Sequence, residues 1–190
     1  TVWSIPLSLY LASGDSRARH LIIGFFNSLV GIPTVVVGLI TYMLLSRSGP
    51  LGVLGILYTP YAIMLGEAIL ITPWIVSLSS ELFAKARTTY WELAISLGAD
   101  DQQAWDLVIR ETWPELLVII LISFARAIGE LGVALLVGGN IKGHTRVLTT
   151  TIALAVSKGE FEYAISLGIM LVFVLFIIFM SVRLLRRIGE

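Results

Sequence analysis

The chain has 190 residues, 57% of them hydrophobic and only 14% charged, with a mean hydropathy of +0.91; soluble domains are nearer half apolar with about a quarter charged, so a soluble globular protein is excluded. Basic and acidic residues number 13 each, so net charge points to no particular partner and gives no reason to expect nucleic acid. There is no cysteine, which excludes disulfides and thiolate metal sites, and the two histidines, His20 and His144, are too far apart in sequence to suggest a metal centre.

Residues 2–12 are apolar but too few to cross a bilayer, which takes about 20 helical residues. They read as the end of a span that begins before Thr1, so the N-terminus reads as incomplete. No basic start or cleavage site marks them as a signal peptide. A basic turn follows at 14–20, with Asp15, Arg17, Arg19 and His20. Residues 21–45 form the first complete predicted span, about 37 Å long as one helix. Pro33 interrupts it, flanked by Gly31 and Gly38. Proline removes a backbone hydrogen bond and kinks a helix, either as a packing kink or as part of a pathway lining.

Residues 46–59 are a loop rich in glycine, without the Lys-Ser or Lys-Thr that would complete a phosphate-binding loop. No such motif occurs elsewhere, so any ATP chemistry belongs to another chain and no cofactor is expected. Residues 61–80 are the second complete span and hold Glu67 and Pro73; residues 115–137 are the third and hold Arg126 and Glu130. Residues 138–160 are polar, with a short helix predicted near 150–156. Residues 161–182 are the last span, ending at Arg183, Arg186 and Arg187. The whole of 1–190 reads as one all-α polytopic membrane domain.

Lysine and arginine favour the cytoplasmic side of a membrane. Alternating crossings place the turn at 14–20, the interval 81–114 and the C-terminus together, with eight basic residues. The opposite side holds four: Arg47, Lys142, Arg146 and Lys158. That bias puts 81–114 in the cytoplasm and 138–160 outside the cell membrane.

Glu67, Arg126 and Glu130 lie within apolar runs, where a charge costs at least about 2.5 kcal/mol on insertion scales. They must therefore face protein or water. Arg126 and Glu130 are four apart and would share a helix face. A structural ion pair is the favoured reading, with Glu67 joining from the neighbouring span; a gate in a pathway is the alternative.

The most polar interval is 91–114, Trp-Glu-Leu-Ala-Ile-Ser-Leu-Gly-Ala-Asp-Asp onward to Pro114. Leucines alternate there with charges on other faces, which predicts two short amphipathic helices joined at Gly98, Ala99 and Asp100. Gly98 would end the first helix in a left-handed conformation. Asp100 or Asp101 would cap the second. Such a bent pair suits docking of another protein. The interval resembles the loop carried by membrane subunits of ABC importers: Glu-Ala-Ala, three residues, Gly, then Ile-x-Leu-Pro. Glu92, Ala94 and Gly98 match, and Leu93 replaces one alanine. The second half departs from the pattern: Pro114 lies about three residues beyond the usual spacing, and Trp113 replaces the leucine.

The run Gly138-Gly-Asn-Ile-Lys-Gly-His-Thr-Arg-Val-Leu-Thr-Thr150 combines Lys142, His144 and Arg146 with glycines and hydroxyls, and no acid lies between Leu131 and Lys158. Charge and glycine-exposed amides there favour an anion; an ordinary extracellular loop is the plainer reading. The run is similar to the Gly-Asn-Ile and Gly-x-Thr elements of molybdate and tungstate importer permeases, and most similar to the tungstate branch. This resemblance covers nearly the whole chain. It implies a type I ABC importer permease fold, with 85–114 as the coupling-helix loop. Glu92, Ala94, Gly98, Ala99 and Asp100 would transmit ATPase movement, and Asn140, Lys142, His144, Thr145 and Arg146 would meet an external oxyanion-binding protein. It further implies separate cytoplasmic ATPase subunits, a second copy of the chain, an inner or plasma membrane location and no covalent chemistry in this subunit. Molybdate or sulfate is the alternative cargo. Other classes are a gradient-driven secondary transporter, whose internal repeats are not evident, and a membrane scaffold, which needs no amphipathic pair.

Overall fold

A computed structural model of the chain describes residues 1–14 and 16–189, with side chains described through Arg183. Asp15, Glu190 and the side chains of Arg186 and Arg187, all parts of the readings above, lie outside the described residues. The described regular structure is helical: α1 (Ser4–Ala12), α2 (Arg17–Val30), α3 (Thr34–Leu45), α4 (Pro60–Ala86), a π turn (Arg87–Trp91), α5 (Glu92–Ser96), α6 (Asp101–Ile128), α7 (Gly132–Gly138), α8 (Leu148–Ser157) and α9 (Phe161–Gly189).

Among the described residues, two stretches are long and apolar enough to cross a bilayer, Pro60–Ser96 and Phe161–Arg183; counting the broken pairs α2–α3 and α6–α7 as single spans raises the number to four. These four correspond to the four complete spans expected from hydropathy. Two of them are not continuous helices. The 21–45 run breaks at Gly31–Pro33, where Pro33, at ψ 134°, is the N-cap of α3 and its carbonyl accepts the Val36 and Val37 N–H groups. The 115–137 run breaks at Gly129–Leu131. Breaks at membrane depth require covered backbone groups, and this one has them. Thr149 Oγ1 donates to Glu130 O at 2.7 Å, and the Gly132 N–H donates to Glu130 Oε1 at 2.7 Å.

The chain forms two compact units. Unit 1 comprises the described residues of 1–31, 72–123 and 179–190. Its core is Ala12, Phe83, Ala86, Val108 and Leu116, flanked by Trp91 and Trp105. Unit 2 comprises 32–71 and 124–178, with a core of Leu45, Ala62, Leu70, Val133 and Val137. In unit 2, α3 and α7 approach to backbone contact. A Cβ added at Gly38 would lie 3.1 Å from both Gly132 O and Val133 Cα. Small residues permit such close helix packing in a membrane, where the hydrophobic effect supplies no attraction between helices.

Candidate functional site

Helix α4, the π turn and α5 form one helical stretch of 37 residues, about 55 Å at 1.5 Å per residue. The hydrocarbon core is about 30 Å thick, so one end of this stretch must project beyond it. The apolar residues fall in α4, which leaves α5 at the projecting end. The first predicted amphipathic helix is therefore the tip of the second span. The second is not separate either: α6 runs from Asp101 to Ile128 with Pro114 inside it. The reason is a single buried stripe, Ala104, Val108, Thr112 and Leu116, at i, i+4 spacing along one helix face. Burial of that stripe on the unit 1 core outweighs the one hydrogen bond that Pro114 lacks.

What remains of the predicted joint is a tight corner, residues 97–100. Gly98 has φ +89°. Its N–H donates to Ile95 O at 3.0 Å, and the Ala99 N–H donates to Ala94 O at 3.0 Å. This two-bond closure satisfies the last carbonyls of α5 and calls for a left-handed residue, which glycine supplies without strain. Asp100 caps α6: the Gln103 N–H donates to Asp100 Oδ1 at 2.8 Å, and the Asp100 N–H donates back to Gln103 Oε1 at 3.1 Å. Ala94 is buried, whereas Leu93 and Leu97 are 53% and 79% exposed. Two exposed leucines one helical turn apart, on a rigidly closed corner beside Glu92 and Asp101, make an apolar ridge with an acidic rim. The π turn just before it, with the Arg87 guanidinium 5.5 Å from the centre of the Trp91 ring, was not visible in the sequence. One extra residue in a helical turn leaves no composition signature.

Unit 2 holds the three intramembrane charges. Glu67 is on α4, Arg126 is near the end of α6, and Glu130 lies past that end, in the break. The four-residue spacing therefore does not place Arg126 and Glu130 on one helix face. Glu130 Oε1 accepts the Gly132 N–H, the first of α7, at 2.7 Å. Glu67 Oε2 is buried with no hydrogen-bond partner among the described residues.

The glycine-rich run at 138–146 closes into a knot. Gly139 and Asn140 both have positive φ, +70° and +52°. Thr145 is 2% exposed; its hydroxyl donates to Gly138 O at 2.5 Å and accepts the Ile141 N–H at 3.0 Å. Arg146 Nε donates to Asn140 Oδ1 at 3.1 Å, and Nη2 donates to Asn140 O at 3.2 Å. Thr150 closes the next turn by accepting the Val147 N–H at 3.0 Å. Of the five residues expected to face a partner, Thr145 and Asn140 are thus occupied in holding the loop. Lys142 and His144 are exposed, and Arg146 is held from one side. The sequence could not separate the residues that tie the turn from those it displays, because a hydroxyl serves either role.

At the 129–131 break, side chains satisfy the freed backbone groups, as non-helical backbone within a span requires. The chain belongs to the family described as binding-protein-dependent transport system inner membrane component, which it matches over residues 4–189; it is a permease subunit of an ABC importer. It is 40% identical over 92% of its length, and 77% of the relative's, to the tungstate uptake system permease protein TupB of Peptoclostridium acidaminophilum. It is 34% identical to the protein of the same name from Campylobacter jejuni, over 91% of this chain and 72% of that one. The sulfate transport system permease protein CysT of Salmonella typhimurium is more distant, at 28% identity over 85% of this chain and 60% of that one.

Proposed function

We propose that the chain forms the membrane pathway of an ATP-driven importer for a tetrahedral oxyanion, with tungstate preferred over molybdate and sulfate. The observation that carries this reading is the 40% identity to a tungstate permease against 28% to a sulfate permease. The physics of the chain supports the anion, through a basic external turn free of acids; the ranking among anions rests on the relatives. A translocation path must release its cargo, so selectivity falls mostly to an external binding protein. ATP is hydrolysed on separate subunits, two copies of this chain enclose the path, and the corner formed by Glu92, Ala94, Gly98, Ala99 and Asp100 takes up the ATPase movement. Rigid-body motion of the spans then alternates access. Reconstitution with the cognate ATPase and binding protein tests the substrate. ATP-dependent uptake of tungstate at the lowest concentration is expected, with molybdate weaker and sulfate weaker still. Uptake of a sugar, an amino acid or a cation, without movement of any oxyanion, overturns it.

The corner is cytoplasmic in this reading, and the turns at 46–59 and 138–160 are external. The basic-residue bias of eight to four supports it. The chain has no cysteine, so single cysteines can be added without background. Ser48, Ser96 and Ser157 are all exposed. In intact cells, an impermeant thiol reagent should label Ser48→Cys and Ser157→Cys but not Ser96→Cys. The inverse pattern would reverse the topology.

A further inference from the structure

Unit 2 contains a polar depression of about 430 Å³, in which Lys142 and Arg146 of the external turn meet residues of α8 and α9 that the transport reading does not use. It is lined by Lys142, Arg146, Thr151, Lys158, Glu160 and Tyr163. These residues come from the knot, from α8 and from the turn into α9, where Gly159 has φ +79°. Three cations and one carboxylate leave it with a formal charge of +2. None of the four charged groups makes an ion pair within 4.0 Å among the described residues. Arg146 is fixed by Asn140 through Nε and Nη2, which leaves three of its five N–H donors for another acceptor. The depression therefore presents an oriented guanidinium, two flexible ammonium groups and a phenol to a negatively charged group, while the Thr151 hydroxyl, which donates to Val147 O at 2.7 Å, is left as an acceptor.

We propose that this depression holds the phosphate-bearing headgroup of an anionic phospholipid whose headgroup also carries hydroxyls, phosphatidylglycerol being the simplest. Three features select this ligand over a free inorganic oxyanion. The first is size: 430 Å³ falls in the range of sites for organic molecules, about 300–1,000 Å³, and a lone tetrahedral ion fills little of it. The second is Glu160. A carboxylate repels a fully deprotonated dianion but accepts a hydrogen bond from a headgroup hydroxyl, while the cations hold the phosphate. The third is position. Phe161–Arg183 is long and apolar enough to cross the bilayer, so Glu160 and Tyr163 sit where that span meets the interface. A cluster of basic side chains attracts an anionic headgroup through its charge, and tyrosine is enriched at this level. Below it, Phe161, Ile165, Ile169, Val172 and Phe176 form one stripe of α9, each at least 57% exposed. Acyl chains hanging from a headgroup in the depression lie along that stripe.

The test is native mass spectrometry of the full chain in mild detergent, offered phosphatidylglycerol or phosphatidylcholine. Wild-type protein should retain phosphatidylglycerol preferentially. Lys142→Gln with Lys158→Gln should reduce that retention at least about tenfold, since it removes two of the three cations that can make charge-assisted hydrogen bonds to the phosphate. Arg146 is left in place because it ties the knot, and an unchanged melting temperature will show that the double variant is folded. Inorganic phosphate or tungstate at millimolar concentration should not displace the lipid. Equal retention of the two lipids, or of phosphatidylglycerol by the double variant, overturns the proposal. Displacement by the inorganic ions reassigns the depression to a free oxyanion. Loss of binding-protein docking without loss of lipid reassigns it to a carboxylate on that protein. The outcome does not depend on which ion is transported, so failure here leaves the substrate reading intact, and the reverse.

Discussion

Replacing Thr145 with valine should lower the melting temperature by roughly 4 °C or more and loosen the external turn, while Thr145→Ser should restore both. Valine has the shape of threonine, so no cavity opens; only the hydroxyl is lost. That hydroxyl bridges Gly138 O and the Ile141 N–H, and Thr145 is buried. Each buried group left without a partner costs about 1–3 kcal/mol. In a chain of this length about 1 kcal/mol moves the midpoint by roughly 2–4 °C. The turn also holds two consecutive residues at positive φ, one of them a non-glycine, Asn140. Once the bridge is gone, residue 145 opposes relaxation of that backbone only through its N–H, which donates to Ile141 O at 3.0 Å. Thermal unfolding in detergent reads the stability, and protease sensitivity between 138 and 147 reads the loosening. A valine variant that melts like wild type but transports nothing would show instead that the hydroxyl serves the cargo.

How far the sequence revealed these features depends on whether the determining interactions are local. Gly98 and Asp100 were legible because helix stop and start signals act within three or four residues. The helix at Leu148–Ser157 was legible for the same reason. Pro114 misled: a proline after a polar interval reads as a boundary, but the stripe Ala104, Val108, Thr112 and Leu116 finds its partners in Phe83 and Ala12, far away in sequence. Hydropathy marked the run 115–137 correctly as apolar. It carries no information about direction, so the break at Gly129–Leu131 and the reassignment of Glu130 to the start of α7 were invisible. Thr145 shows the same limit at a single residue. Its motif was recognisable, but whether a hydroxyl points into the turn or out of it is decided by tertiary burial. Lys158, Glu160 and Tyr163 became neighbours of Lys142 only because α8 folds the chain back.

The largest functional loss is expected from Gly98→Val, with transport falling at least about tenfold while membrane insertion stays normal. The corner needs a residue at φ +89°. A side chain there costs on the order of 1–2 kcal/mol, and a β-branched one more, because such a residue at positive φ is a true outlier. A factor of ten in an equilibrium corresponds to about 1.4 kcal/mol, so valine should depopulate the closed corner by at least about tenfold. The space around Gly98 is open, with nothing within 4 Å of an added Cβ. The effect is therefore backbone strain alone, and it should be graded by residue type. Gly98→Asn should be mild, since asparagine tolerates the left-handed region; alanine should be intermediate and valine severe. Opening the corner displaces exposed Leu97 from Leu93 and moves the Glu92 to Asp100 corner that takes up the ATPase movement in the proposed function. Both cores lie elsewhere, so the spans should insert and melt nearly as before. Two measurements in liposomes read the result: copurification of the ATPase, and ATP hydrolysis stimulated by loaded binding protein. Either the ATPase detaches, or its hydrolysis continues without uptake. Wild-type uptake and stimulation by the valine variant would mean that the corner does not carry the movement, and the coupling role would pass to another surface of the chain.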